Sequence, residues 1–166
     1  MDVRLATADE IDQLAELWYE VWHESHAGLV PEDLTRLRTA DSFRDRLRNM
    51  FSDIRVVGPS GSPVGFSVIR GSELYQLFVS PGSRGTGIAG ALIDDAEARL
   101  SARGVETAHL ACAIGNERAA RFYEKRGWRR VGTVVDLVET ERGPYALKVW
   151  RYEKPLAPRL ASPPGE

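Results

Sequence analysis

Residues 84–90, RGTGIAG, have the composition of a turn that binds phosphate. A short apolar run at 74–79 comes before them and predicts a buried strand. After them, apolar residues recur every four positions from Ile88 to Leu100, which predicts a helix. Glycines that lead into a helix expose backbone N–H groups at the positive end of the helix dipole. This arrangement favours a bound phosphate group.

The glycine spacing fits two kinds of phosphate site. Gly85, Gly87 and Gly90 match the G-x-G-x-x-G pattern of dinucleotide-binding folds, which is a weak signal by itself. In such folds an acidic residue ends the next strand, about 20 residues further on. Here Glu106 stands before the next strand-like run, at 107–113. A nucleotide-dependent oxidoreductase is therefore the less favoured interpretation.

The second interpretation takes Arg84-x-x-Gly87-x-Ala89 as the unit. It resembles the Q/R-x-x-G-x-G/A loop with which the GNAT (GCN5-related) N-acetyltransferases bind the pyrophosphate of acetyl-coenzyme A. Glu73 lies 11 residues before Arg84, where many members of the family carry a catalytic glutamate. Residues 116–128, NERAARFYEKRGW, are similar to the family's N-x-x-A-x-x-F-Y-x-K-x-G-F/W segment. Two motifs at the family's spacing make this resemblance specific.

The resemblance implies an N-acetyltransferase that moves an acetyl group from acetyl-coenzyme A to a primary amine, by direct attack in a ternary complex. It implies that Glu73 takes a proton from the amine and that Tyr123 protonates the leaving thiolate. The structural alternatives are a glutamate that meets solvent or an arginine, and a helix aromatic packed beside Phe122. A non-catalytic acyl-coenzyme A-binding or sensing domain of the same fold is the alternative function.

Backbone N–H groups would make most of the cofactor contacts. By the resemblance, those of the strand hold the thioester oxygen where that strand bulges and splays, and those of the glycine turn hold the diphosphate. Asn116 would bond the cofactor arm, and it also suits a helix cap. Arg121, Lys125 and Arg126 meet either the 3′-phosphate or only solvent. The residues expected to bind the cofactor are Phe78, Val79, Arg84, Gly85, Thr86, Gly87, Ile88, Ala89, Gly90 and Asn116.

By the same resemblance, Trp22, His26 and Leu29 lie where the family's first helices line the acceptor pocket. His26 departs from the aromatic residue, commonly tyrosine, of many bacterial members. The residue types of this loop therefore do not define the acceptor. Acidic residues such as Glu24 and Glu32 hint at a cationic small molecule, while a lysine side chain or a peptide N-terminus stays open.

Composition excludes several other classes. The chain has 166 residues and a formal net charge of −2, which argues against a general nucleic-acid binder. Its single cysteine, Cys112, excludes an internal disulfide and a thiolate zinc cluster, and His23 with His26 lacks a third metal ligand. No apolar run approaches the ~20 residues of a membrane-spanning helix, and we expect a cytoplasmic protein without a metal. By family habit, a homodimer would form through the last strands.

We expect one domain at 1–154 and a mobile, proline-rich tail at 155–166. The predicted class is α+β, with a mixed, mostly antiparallel central sheet flanked by helices, and the GNAT family shows the same element order. A capping box at 7–10 opens the first helix, which the segment 23–31 interrupts. Strands are predicted at 3–6, 54–57, 64–69, 74–79, 107–113, 131–138 and 145–152, and further helices at 31–38, 41–51, from 88, and from 116 to near 127.

Overall fold

A single seven-stranded sheet runs through the molecule, in a computed structural model that describes residues 2–157. The strand order is β1-β2-β3-β4-β5-β7-β6. Neighbouring strands are antiparallel except β4 and β5, which are parallel. The strands are β1 (Arg4–Leu5), β2 (Ile54–Val57), β3 (Gly65–Arg70), β4 (Glu73–Val79), β5 (Thr107–Ala113), β6 (Arg129–Val138) and β7 (Tyr145–Pro155).

Within residues 2–157 five α-helices flank this sheet, which confirms the predicted α+β class. They are α1 (Ile11–His26), α2 (Glu32–Leu37), α3 (Ala40–Asn49), α4 (Ile88–Ala102) and α5 (Glu117–Lys125). Only one strand pair is parallel, whereas a dinucleotide-binding fold is built on a mostly parallel, doubly wound sheet. The sheet therefore overturns the dinucleotide interpretation of the glycine turn.

Two apolar clusters hold the helices on the sheet. In the first, Trp18 of α1 and Phe43 of α3 pack against Phe66 of β3, and all three are fully buried. In the second, Ile93 of α4 packs with Trp128 next to the last strands. Strand β4 contributes to both clusters, with Phe78 in the first and Leu74 in the second. The site forms between β4 and β5.

The capping box predicted at 7–10 is part of a buried ion pair. The Glu10 carboxylate accepts the Thr7 backbone N–H at 2.9 Å and binds the Arg4 guanidinium at 2.7 Å. The Arg4 hydrogen bond lowers the pKa of Glu10 to about 2. This pair joins β1 to the start of α1 and fixes where the first helix begins.

Two expected boundaries differ from the observed ones. Helix α1 continues through the segment 23–26, which was expected to interrupt it, so His26 is its last residue. Strand β7 continues through Pro155, and Leu156 is buried and bonds the Glu106 carbonyl at 2.8 Å. Residues 155–157 of the expected tail thus belong to the fold, and the remainder of that tail lies outside the described residues.

Candidate active site

The site begins where β4 and β5 separate. Within these two strands the register pairs only Glu73 with His109, and beyond that pair the strands diverge. Strand β4 also carries one residue more than β3 at this point, because Val68 pairs with Gln76 while Ile69 pairs with Leu74. Such a bulge bends a strand away from its neighbour. The expected bulge and splay are therefore present, centred on Tyr75.

A cavity of about 480 Å³ fills the gap between the diverging strands. The turn after β4 and the start of α4 form one wall, and α5 forms another. Nearly all of the expected cofactor residues line it together with Tyr123; they are Phe78, Val79, Arg84, Gly85, Gly87, Ile88, Ala89, Gly90 and Asn116.

The first amides of α4 point into this cavity without a capping side chain. Gly87 is the N-cap in a left-handed conformation (φ 87°), and the first helical hydrogen bond runs from the Ala91 N–H to its carbonyl. Gly85 is also left-handed (φ 77°), and a Cβ there would meet no atom within 4 Å. The N–H groups of residues 88–90 therefore lack helical partners. A diphosphate fits this cradle by charge and by hydrogen bonding.

Thr86 does not line the cavity as expected, and Gly90 has a second role besides its place in the lining. The Thr86 hydroxyl donates to the Ser83 carbonyl. A Cβ on Gly90 would lie 2.1 Å from Nη2 of Arg126, whose Nη1 binds Asp94 at 2.9 Å. Gly90 thus makes room for Arg126, which lines the cavity, while neighbouring Arg121 and Lys125 do not.

The direction of the amides along β4 follows from its register with β3. The Ser80 N–H bonds the Val64 carbonyl at 2.8 Å, and bonded pairs alternate along antiparallel strands. The Phe78 amide therefore faces β3, whereas the amides of Leu77 and Val79 face the gap. Phe78, expected to offer its backbone N–H, contributes a largely buried ring to the cavity wall instead.

Glu73 lines a second, smaller cavity of about 120 Å³ that adjoins the first. His26, Tyr75, Gln76 and Phe78 line both cavities. Burial, reinforced by the nearby Asp136 carboxylate, raises the pKa of Glu73 to about 7. A carboxylate with this pKa can accept a proton near neutral pH.

Tyr123 lines the larger cavity from the side of α5. Its ring is half-buried and packs on Phe122, Trp128 and Tyr152, with ring centroids 5.5, 6.3 and 6.1 Å away. Burial raises its pKa well above the ordinary value for tyrosine. The phenol therefore keeps its proton through the physiological range.

Asn116 and Cys112 complete this wall. The Asn116 side chain accepts the Ala119 N–H at 3.4 Å, so it caps α5, and it also lines the cavity. Cys112 is buried, and that burial raises the pKa of its thiol to about 11. A thiol in this state is a poor nucleophile at neutral pH.

Only two of the three residues expected to line the acceptor pocket lie at a cavity in the structure. Trp22 lines the smaller cavity, and His26 stacks on it with ring centroids 5.0 Å apart. Burial lowers the pKa of His26 to about 4, so its ring is neutral. Leu29 is 42% exposed, lines neither cavity, and lies against Gly115.

Glu24 binds two arginines that line the larger cavity. Its carboxylate binds Arg84 of the glycine turn and Arg118 of α5, the latter at 3.1 Å. These hydrogen bonds, chiefly that from Arg84, lower its pKa. The hint that Glu24 binds a cationic acceptor is therefore not supported, because two arginines already neutralise it.

A family model named Acetyltransferase (GNAT) domain matches residues 27–137, which is most of the chain. The chain belongs to the GNAT acetyltransferase family. The resemblance inferred from the two motifs is thereby confirmed, and both motifs lie within the matched residues.

Individual members of the family resemble the chain over 78% to 93% of its length. An uncharacterized N-acetyltransferase from Archaeoglobus fulgidus is 30% identical over 142 residues, 78% of this chain and 94% of that one. The peptidyl-lysine N-acetyltransferase YjaB from Escherichia coli is 27% identical over 80% of this chain and 84% of its own. The PaiA N-acetyltransferase from Thermoplasma acidophilum, solved with coenzyme A, superposes with a TM-score of 0.70 at 20% identity, over 93% and 98% of the chains.

Two negative findings concern metal binding and membrane crossing. Among residues 2–157 no group of three or more histidine, cysteine or acidic side chains is placed to hold a metal ion. Within the same residues no helix combines the length and apolar character that crossing a membrane needs.

Sequence reasoning missed two buried arginines, Arg38 and Arg46, which line the smaller cavity. Arg126, expected to meet either the 3′-phosphate or solvent, lines the larger cavity. Arg38 and Arg46 lie in a stretch where arginine is common, and nothing in the sequence separates the buried arginines from the exposed ones. Only tertiary contacts do so, those of Arg46 with Tyr75 and of Arg38 with the Glu139 carbonyl.

Proposed function

We propose that this protein transfers the acetyl group of acetyl-coenzyme A to a primary amine by direct attack in a ternary complex. The observation that supports this proposal most directly is that the two cavities meet at the β4–β5 gap. The uncapped amides of α4 line the larger cavity, and Glu73 lines the smaller one. A cofactor in the first cavity would bring its thioester toward an amine in the second.

Glu73 would act as the general base. An alkylamine has a pKa near ~10.4 and is almost entirely protonated at neutral pH, so it must lose a proton before or during attack. With its pKa raised to about 7, Glu73 is largely ionised just above neutrality and still basic enough to accept that proton.

The strand amides and Tyr123 would serve the thioester end. As the amine nitrogen bonds to the carbonyl carbon, the carbonyl oxygen gains negative charge, which the gap-facing amides of Leu77 and Val79 can stabilise. The carbon–sulfur bond then breaks, the thiolate of coenzyme A leaves, and Tyr123 gives it a proton. The products are the amide and free coenzyme A.

Direct attack is favoured over an acetylated enzyme by the state of the cavity's only thiol. Cys112 is buried and protonated at neutral pH, and no histidine lies within its hydrogen-bond contacts in the described structure. Family membership supports acetyl transfer, and the coenzyme A complex of the Thermoplasma acidophilum relative supports the choice of cofactor.

The decisive assay follows release of the coenzyme A thiol from acetyl-coenzyme A across a panel of amines, amino acids, aminoglycosides, polyamines and peptides. We expect at least one amine to raise thiol release, and Glu73→Gln to abolish that increase. Glu106→Gln, an exposed glutamate outside both cavities, is the control. A protein that binds acetyl-coenzyme A but acetylates nothing would be the sensing domain instead.

A further inference from the structure

The smaller cavity contains two buried positive charges. Arg38 and Arg46 are 4% and 8% exposed, and both line this cavity together with Glu73. Within residues 2–157 neither one forms a salt bridge, although Arg44 and Arg48 beside them on α3 pair with aspartates. A buried charge is costly unless it is paired. Aromatic rings offset part of this cost, since the Arg46 guanidinium lies 4.4 Å from the Trp18 ring centroid and that of Arg38 lies 5.9 Å from that of Trp22. Neither guanidinium has a carboxylate partner among the described residues, so an anion in this cavity would complete their pairing.

Their hydrogen bonds leave donors unused. Nη1 of Arg38 donates to the Glu139 carbonyl, and Nη2 of Arg46 donates to the Tyr75 hydroxyl at 2.9 Å. The Nε groups of both arginines are buried without a partner among the described residues. A guanidinium has five N–H donors, so each side chain can still bind an acceptor.

The two arginines also influence each other. Burial, followed by the charge of Arg46, lowers the pKa of Arg38 to about 10. The acidic group whose charge acts on Arg38, Glu139, already contacts Arg70 at 3.8 Å and accepts the Tyr75 hydroxyl at 3.4 Å. One wall of the cavity is therefore cationic, while Glu73 and Asp136 line another part of it.

We propose that the acceptor is a small amine that also carries a carboxylate, bound with its amine at Glu73 and its carboxylate against Arg38 and Arg46. This inference rests on the proposed function and names the substrate class of the same site. The planar guanidinium matches a carboxylate with two parallel hydrogen bonds.

The smaller cavity is less suited to polyamines, aminoglycosides and lysine side chains. Its volume of about 120 Å³ suits a molecule the size of a small amino acid. A polyamine or an aminoglycoside would bring several positive charges against two fixed guanidinium groups, which repel them. A lysine side chain would bring an amine but no carboxylate to satisfy the arginines.

The test compares four acceptors on the wild-type enzyme, matched in shape: a small amino acid, its amide, the amine that lacks the carboxylate, and the corresponding aminophosphonate. We expect kcat/KM for the amino acid to exceed that for its amide and for the simple amine by about 10- to 100-fold, the worth of a charged hydrogen bond. If the enzyme prefers the aminophosphonate, the cationic wall binds a phosphate-like group, and the proposal of a carboxylate is wrong.

Two variants locate the effect. In Arg46→Gln the ratio of kcat/KM for the amino acid to kcat/KM for its amide should fall about tenfold or more. Arg48→Gln, on the exposed side of the same helix, should leave both values unchanged. If Arg46→Gln fails to fold, wild-type enzyme is measured with simple carboxylates, which should compete with the acceptor, and with neutral alcohols of equal size, which should not.

The outcomes separate this inference from the proposed function. If amines without a carboxylate are acetylated as fast as amino acids, the inference fails and the acetyltransferase stands. If no amine of any kind releases thiol, the proposed function itself fails, and the heat of acetyl-coenzyme A binding then decides whether the protein is a sensing domain.

Discussion

At the scale of single residues, the site depends on groups whose proton affinities are shifted in useful directions. Glu73 is raised to a pKa of about 7, so it titrates in the range where an enzyme operates. The pKa values of Tyr123 and Cys112 are also raised and lie well above neutrality, so both groups hold their protons. Burial is the first cause in all three cases, because the two cavities keep these groups away from bulk water.

Glu73→Gln should lower kcat by about 10²- to 10⁴-fold, the usual contribution of a general base, with little change in affinity for acetyl-coenzyme A. In the wild type, kcat should rise between pH 6 and 8 with a midpoint near 7, because Glu73 must be ionised. Its other charged neighbours, Asp136, Arg70 and Arg151, contribute to that midpoint. A rate that is independent of pH over this range would assign the proton to another group.

The same substitution should stabilise the fold at alkaline pH. The pKa of Glu73 rises from 4.5 to about 7 on folding, so the native state is penalised as pH rises through that window. Above pH 7, Glu73→Gln should therefore unfold at a higher temperature than the wild type, by up to about 3 kcal/mol in free energy. Near pH 4 the two proteins should be equally stable. Thermal unfolding at both pH values provides this check.

Tyr123→Phe removes one hydroxyl from an otherwise apolar packing site. We expect kcat to fall by about 10²-fold or more, because the thiolate then leaves without a proton donor. The folded structure and the dissociation constant of acetyl-coenzyme A should change little, since the ring contacts with Trp128 and Tyr152 remain. Unchanged turnover in the variant would return Tyr123 to a purely structural role.

At the scale of elements, the site is made by two breaks in regular structure. The bulge at Tyr75 and the single pairing of Glu73 with His109 open the sheet, and the left-handed glycines turn the chain into α4. Both breaks direct backbone amides into one cavity. An ion pair between Glu24 of α1 and Arg118 of α5 joins these two helices beside the cavity.

Gly85→Ala tests the cradle, and Gly104→Ala is its matched control. Both glycines have positive φ, 77° and 84°, and a Cβ on either meets open space, but only Gly85 lines the cavity. Each substitution should cost about 1–2 kcal/mol of stability through backbone strain. Only Gly85→Ala should weaken acetyl-coenzyme A binding, by about tenfold or more in calorimetry. Equal affinities in the two variants would show that the turn does not bind the cofactor.

Glu24→Gln tests whether the α1 carboxylate competes with the cofactor for Arg84. Removing the carboxylate frees the Arg84 and Arg118 guanidiniums for the diphosphate, so acetyl-coenzyme A should bind severalfold more tightly. Glu20→Gln, an exposed position one turn earlier on α1, should have no effect. Weaker binding in Glu24→Gln would mean that the ion pairs hold the cavity open rather than compete for its ligand.

At the scale of the whole molecule, local sequence patterns predicted the main strands and helices and part of the site. The strands at 54–57 and 107–113 appear where their apolar patterns predicted them, and the glycine turn lies at the N-terminus of α4. The buried arginines could not be predicted, because Arg46 and Arg48 differ only in which face of α3 meets Tyr75. The direction of the Phe78 amide likewise depends on register with β3, which one strand's sequence does not contain.

The expected homodimer would form through the last strands, of which β6 is the outer one. Val135 and Leu137 are 60% and 67% exposed on this strand, which pairs only with β7. A homodimer through the last strands thus stays a prediction. The transferase chemistry depends only on the cavities at the β4–β5 gap.

The most direct test of that chemistry is calorimetric titration with acetyl-coenzyme A and with S-acetyl-pantetheine, which has the same thioester arm and no diphosphate. If the amides of α4 hold the diphosphate and so bring the thioester toward Glu73, we expect acetyl-coenzyme A to bind at least about 100-fold more tightly, as charge-assisted hydrogen bonds to several oxygens require. Equal affinities, or no heat with either compound, would contradict it.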